Sequence, residues 1–177
     1  MIFKNFLNIK NNRIIKKDLQ NLLKDQPQLF ETLKPTYKYS YSKKAISKYK
    51  KFSNIRIIGM GGSILGAEAI YSFLKKKIKK KITFVNNLNS NADYFQDKNI
   101  NLNLIISKSG NTLETIANAN TLIKNKEKNI VITEDKSSYL TNLASKLKAE
   151  IFEHRNYVGG RYSVLSEVGM LPVELMN

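Results

Sequence analysis

The 177-residue sequence contains no cysteine, one histidine and three prolines, and only 14 acidic residues against 30 basic ones. Without cysteine there are no disulfides and no thiolate metal sites, and the redox compartment stays open. No apolar run approaches the ~20 residues that a membrane-spanning helix needs. The opening Met1-Ile2-Phe3-Lys4-Asn5-Phe6 has neither the long apolar block nor the small-residue cleavage site of a secretory signal, so the cytoplasm is the expected compartment. What is present suits a core: 42% of residues are hydrophobic. A chain of this length buries roughly 70% of the surface its unfolded form exposes, as one domain with some extension.

The shortage of acids leaves a formal net charge of +16. Clustered Lys and Arg release counterions from a phosphate backbone, which raises the possibility of nucleic-acid binding. The surplus is uneven, however. Residues 1–58 hold 14 Lys plus Arg against 3 Asp plus Glu, and residues 59–177 hold 16 against 11. It lies ahead of the loops that read as functional, so a solvated basic surface is expected, with neither nucleic acid nor membrane as a partner.

Taken in order, residues 1–52 read as a helical leader. Asn11 or Asn12 caps a helix whose Ile14, Ile15, Leu19, Leu22 and Leu23 recur with helical period, and Pro27 ends or kinks it. Pro35 marks a second boundary before Tyr37-Lys38-Tyr39-Ser40-Tyr41-Ser42, an alternating stretch that packs the leader onto the domain or, less simply, stacks on nucleic acid. From residue 53 onward, short β-branched runs alternate with helical patterns. The strands are Ile55–Ile58, Ile82–Val85, Leu102–Ile106, Asn129–Thr133 and Glu150–Phe152. Between them lie a helix over Ile64–Leu74 with Ala67, Ala69 and Ile70 inward, a short helix near Ala92–Phe95, a helix from Thr112 to Ile123, and one capped by Ser137 or Ser138. This spacing predicts an α/β fold, a doubly wound parallel five-stranded sheet with helices on both faces.

Two loops follow strands in that scheme. Gly59-Met60-Gly61-Gly62-Ser63 fails as a dinucleotide fingerprint, because Ile64 stands where the third glycine belongs and the second strand ends in Asn86-Asn87 rather than an acid. It fails as a P-loop, because Gly66 is followed by Ala67-Glu68. Its glycines allow close backbone approach, and Ser63 either caps a helix or binds an anion. The second loop, Ser107-Lys108-Ser109-Gly110-Asn111-Thr112, carries a row of hydroxyls with Gly110-Asn111 suited to a left-handed turn. A single helix cap needs one hydroxyl; a row of them with one cation looks like a cradle that can hold phosphate at a helix start, the alternative being that Asn111, Thr112 and Thr115 are plain helix-start residues.

These loops, read as Gly61-Gly62-Ser63-Ile64-Leu65-Gly66 and Ser107-Lys108-Ser109-Gly110-Asn111-Thr112-Leu113-Glu114-Thr115, and followed by Val158-Gly159-Gly160-Arg161-Tyr162-Ser163, resemble the successive signatures of the glucose-6-phosphate isomerase family. The Ser/Thr loop is shared widely among sugar-isomerase (SIS) domains, whereas Gly-Gly-Arg-Tyr-Ser is specific to this family. The resemblance covers the chain from about Ile55 to its end. It implies a three-layer, flavodoxin-like SIS domain over residues 53–177, including the start of the following helix. It also implies reversible aldose-ketose isomerisation in glycolysis and gluconeogenesis, no metal or other cofactor, and a homodimer. Gly62 and Ser63 would meet the sugar phosphate and sugar edge. Ser107, Lys108, Ser109, Gly110, Asn111 and Thr112 would form the phosphate cradle, with Thr115 adding to it. Glu114 matches a glutamate that orients a ring-opening histidine, and Arg161 an arginine beside the reacting carbons, where a fixed guanidinium stabilises an enediolate.

The sequence departs from the family at Glu167, where a small residue is usual. His154 matches no family histidine and reads as structural or exposed. The family's base, histidine and lysine, with its second SIS domain, match nothing before Asn177. The expectation is therefore an amino-terminal portion that binds a 6-phosphosugar weakly and is inactive alone. The rivals are a phosphosugar sensor or another sugar-phosphate isomerase within the SIS fold and, outside it, a basic nucleic-acid-binding protein.

Overall fold

The computed structural model describes residues 13–25, 27–88, 102–124 and 126–177. Five strands form one all-parallel sheet: β1 (Asn54–Gly59), β2 (Lys81–Val85), β3 (Leu102–Ile106), β4 (Lys128–Thr133) and β5 (Glu150–Glu153), in the order β2-β1-β3-β4-β5. The three inner strands are buried almost throughout, which is why their sequences run as continuous β-branched stretches rather than alternating ones. Six α-helices accompany them among the described residues: α1 (Arg13–Asp25), α2 (Lys43–Ser47), α3 (Leu65–Leu74), α4 (Leu113–Leu122), α5 (Tyr139–Leu147) and α6 (Glu167–Met176). The expected helix near Ala92–Phe95 and the Asn11 or Asn12 cap lie outside the described residues.

The sheet divides the core in two. On one face, Ile55, Ile57, Leu104, Ile106, Ile130 and Ile132 pack with Ala67 of α3 and with Val168, Leu171 and Leu175 of α6. On the other, Ile58, Ile105 and Val131 pack with Ala119 and Leu122 of α4 and Leu140 and Ala144 of α5. Each fully buried isoleucine or leucine stabilises the fold by about 1.5–3 kcal/mol relative to exposure. In α3, Ala67 is buried as the helical pattern predicts, but Ala69 faces solvent, so the inward stripe is narrower than the sequence suggests. Ser138, not Ser137, caps α5: its hydroxyl accepts from the Thr141 N–H while the Thr141 hydroxyl accepts from the Ser138 N–H.

The leader divides in behaviour. Tyr41, Ile46 and Tyr49 join the first core, with Tyr41 edge-on to Phe152 and stacked at 5.1 Å with Tyr39. The tyrosine series is an extended connection, not a strand. Helix α1 buries none of its residues, and its periodic Ile14, Ile15, Leu19, Leu22 and Leu23 are exposed.

One strand residue breaks the apolar rule. Arg56, only 2% exposed, donates to Asn103 Oδ1 at 3.2 Å and to the Leu122 carbonyl at 2.8 Å, and stands 3.8 Å from the Glu127 carboxylate. Asn103 in turn donates to Glu127 and to Asn129, each at 2.9 Å. This network crosses β1, β3 and β4 and fixes a cation against the carboxyl end of α4, where the helix dipole is negative. Removing one partner of such a group strands the others without water. Arg56→Ala should destabilise the fold by about 3–5 kcal/mol, read as a lowered midpoint in urea unfolding.

Candidate functional site

In a sheet of this order the connections leave β1 and β3 toward opposite faces, which opens a crevice at the carboxyl ends of those two strands. Gly59 and Ile106 sit side by side there. The first loop leaves β1 through Gly61, whose φ of +53° is a left-handed value that glycine adopts without strain, and closes a short 3-10 turn over Gly61–Ser63. Helix α3 starts behind Ile64 with no side chain capping it. Of the two roles open to Ser63 in the sequence, capping is thereby excluded. A Cβ at Gly59 would lie 3.2 Å from Ser63 Cβ and 3.1 Å from the Ile106 carbonyl, so Ser63 is held over the end of β3.

The second loop is shaped by Gly110, at φ +69°, whose missing side chain makes room for Ser138: a Cβ would lie 2.2 Å from Ser138 Oγ. Leu140 N–H donates to the Gly110 carbonyl, and Glu134 N–H to that of Lys108, so the β4–α5 loop supports this one from below. The buried Ser107 hydroxyl and Thr112 Oγ1 are hydrogen-bonded at 2.8 Å. Thr112 is the N-cap residue of α4, yet its side chain makes no cap bond. The start of α4 therefore keeps its positive end uncapped, beside two hydroxyls engaged with each other. Thr115, one turn along, is fully buried and its hydroxyl has no partner among the described residues. Ser109 is exposed and accepts from the Asn111 N–H. Asn111 is committed elsewhere: its Oδ1 accepts from the Tyr139 N–H at the start of α5.

The third segment follows β5. Lys108 Nζ donates to the Asn156 carbonyl at 2.7 Å and the Val158 carbonyl at 3.0 Å, and lies 3.6 Å from Glu134. Lys136 bonds the same carboxylate and, with Lys108, holds Glu134 below the usual carboxylate range despite its burial. The turn over Gly160–Leu165 then presses against the first loop. A Cβ at Gly62 would lie 2.1 Å from the Gly160 carbonyl oxygen and 3.1 Å from the Arg161 nitrogen. The Ser163 hydroxyl lies 2.7 Å from the Gly160 carbonyl and 3.1 Å from that of Gly62, donating across the seam. Arg161 itself is exposed, with no acid paired to it among the described residues.

The three motifs thus meet at one end of the sheet. The loops carrying Gly62-Ser63 and residues 107–112 leave neighbouring strand ends, Gly59 beside Ile106, and the turn carrying Arg161 abuts Gly62. Glu114 is half-buried in the first turn of α4, where an acid near a positive helix end is favoured. Sequence reasoning assigns no role to Ser163 or Glu134. Ser163 stands in view within Gly-Gly-Arg-Tyr-Ser, but its partners are backbone carbonyls that no spacing reveals. Glu167, the departure from the family pattern, is fully buried and satisfied: it accepts from Tyr37 OH at 2.8 Å and from the Arg155 N–H at 3.2 Å in the first turn of α6. Burial, then the Glu167 bond, pushes the Tyr37 phenol up. His154 is buried rather than exposed, and burial pushes its imidazole down, toward the neutral form.

The all-parallel five-stranded sheet with helices on both faces is the three-layer α/β fold of SIS domains. Solved structures share it. A hypothetical protein from Thermus thermophilus superposes with a TM-score of 0.74 at 20% identity, over 93% of this chain and 44% of the other. Tagatose-6-phosphate ketose/aldose isomerase from Escherichia coli gives 0.55 at 18% identity, over 90% and 44%. The family model for phosphoglucose isomerase matches residues 6–177, and the chain belongs to that family. The glucose-6-phosphate isomerase of Borreliella afzelii is 39% identical over 144 residues, which is 71% of this chain and 27% of the relative. That of Methanocaldococcus jannaschii is 38% identical over 143 residues, 72% of this chain and 35% of the relative. The chain spans about a quarter to a third of the length of these curated relatives.

The seam between Gly62 and Gly160 gives a direct test. Gly62→Ala should destabilise the fold by about 1–3 kcal/mol in urea unfolding, the usual range for forced overpacking. Gly160→Ala, where a Cβ meets nothing within 4 Å, should leave the midpoint nearly unchanged.

Proposed function

We propose that this chain contributes the first SIS domain, over residues 53–177, of a glucose-6-phosphate isomerase, with residues 1–52 as its leader, and that its crevice holds the phosphate of a 6-phosphosugar. The observation that carries this reading is the start of α4: Thr112 occupies the cap position without capping, and its hydroxyl is paired with Ser107 beside open N–H groups. A phosphate dianion supplies the missing acceptors, and the helix dipole favours its charge. Ser107, Ser109, Thr112 and Thr115 are the hydroxyls of that cradle, Gly110 shapes it, and Gly62 with Ser63 borders the sugar. Lys108 and Asn111 act in part by holding the loop, since their polar atoms already engage the Val158 carbonyl and the Tyr139 N–H.

Isomerisation moves a proton between C1 and C2 through an enediolate. Arg161, exposed on the turn that abuts Gly62, is the group to stabilise that charge as it develops. Glu114 would orient a histidine brought by another part of the protein. Proton transfer needs a base within hydrogen-bond reach, and no carboxylate of this chain is assigned that role. The activity therefore belongs to the whole protein, as a homodimer, and this chain alone binds without turning over. A phosphosugar sensor would have no use for a cation at the reacting carbons, so Arg161 favours the enzyme.

Calorimetric titration of glucose 6-phosphate should give saturable binding that Ser109→Ala plus Thr112→Ala weakens tenfold or more, about 1.4 kcal/mol. Unchanged affinity in that variant would place the phosphate elsewhere.

A further inference from the structure

At the opposite end of the sheet, the segment that follows α2, the carboxyl end of α5 and the entry to β4 line an open cavity of about 460 Å³. It lies a strand length from the crevice, roughly 17 Å at the usual rise per residue. Five lysines line it, Lys48, Lys51, Lys126, Lys128 and Lys148, with Glu127 as the one acid. Helix carboxyl ends attract cations, which accounts for a lysine or two but not for five around one void.

The nearby acids are already engaged. The Glu127 side chain is 7% exposed and accepts from Asn103 Nδ2 and the Lys124 N–H within the buried Arg56 network. Glu150 accepts from Tyr49 OH at 2.9 Å and pairs with Lys48 at 2.7 Å. Among the described residues no acid pairs with Lys51, Lys126, Lys128 or Lys148, although Lys51 lies over the Phe52 ring. Lysines from three segments around one concave space make it electropositive, and a multiply charged anion complements that charge.

We infer that this cavity binds a compact polyphosphate anion, the phosphate chain being the part recognised. The volume lies within the ~300–1,000 Å³ of small-molecule sites. Lysine is a compact point charge that suits clustered phosphate oxygens. A strand of nucleic acid fits less well: of the two aromatic residues lining the cavity, Tyr49 is buried and half-buried Phe52 has the Lys51 ammonium 5.5 Å from its ring centroid, so stacked bases would compete for one partly covered ring. The same chemistry is offered by free inorganic triphosphate and by the tail of a nucleoside triphosphate.

The test titrates tripolyphosphate into the 177-residue chain by calorimetry. Saturable binding is expected, weakened as salt rises from about 50 to about 200 mM and unaffected by saturating glucose 6-phosphate. Lys128→Gln plus Lys148→Gln should weaken it at least tenfold. Lys75→Gln plus Lys76→Gln, which removes the same charge from an exposed helix end, should not, and neither should Ser109→Ala plus Thr112→Ala. ATP binding more tightly than tripolyphosphate would support a nucleotide source, and equal binding a free polyphosphate. The inference is overturned by absent binding, by equal losses in the two charge-matched lysine variants, or by a single-stranded oligonucleotide binding more tightly than either anion. Because the crevice variant is tested separately, failure here leaves the sugar-phosphate reading standing, and the reverse also holds.

Discussion

Gly62 has no room for a side chain, because the Gly160 carbonyl lies where its Cβ would be. The end of the molecule where the three motifs meet depends on that approach of two backbones far apart in the chain. It sets the turn carrying Arg161 beside the loop carrying Ser63. The Ser163 hydroxyl then fixes the distance by donating to carbonyls on both sides of the seam. Gly66 and Gly169 extend the same constraint, since added Cβ atoms there would strike the side chain and the backbone of Val164.

The sheet supplies the frame that makes the seam useful. Parallel register aligns Gly59 with Ile106, so the loops leaving β1 and β3 must emerge as neighbours. Beyond β3, β4 and β5 the loops are laced by backbone bonds: Ser107 to Ile132, Glu134 to Lys108 and His154 to Thr133. Lys108 closes the series by reaching the carbonyls of Asn156 and Val158. A crevice held this way is rigid, its loops fixed by bonds within the protein. At the other end of the strands, the Arg56 network anchors the carboxyl end of α4, the helix whose amino end faces the crevice.

Much of this is legible in the sequence, for reasons that can be named. Runs such as Leu104-Ile105-Ile106 announce strands buried on both faces, and the Gly- and Ser-rich stretches after them announce the loops that end those strands. The three motifs identify the family because their order and spacing are joint constraints. Other features stay hidden because they depend on contacts distant in the chain. Arg56 interrupts an apolar strand, and its partners Asn103, Glu127 and the Leu122 carbonyl come together only in the fold. Glu167 reads as a packing fault until Tyr37 supplies its partner. Asn111 looks like a turn residue or a ligand contact, and its hydrogen bond to Tyr139 is visible only in the fold. The lysine cavity draws on α2, β4 and α5, so no single stretch of sequence contains it.

Amide chemical-shift mapping during a glucose 6-phosphate titration tests most directly whether phosphate sits at the switch point, between the first loop and the start of α4. The largest shifts are predicted on residues 61–63 and 107–115, with smaller ones at residues 159–161. Shifts confined to the lysine cavity around residues 48–52 and 126–129, with the crevice unmoved, would contradict a phosphate site at the switch point.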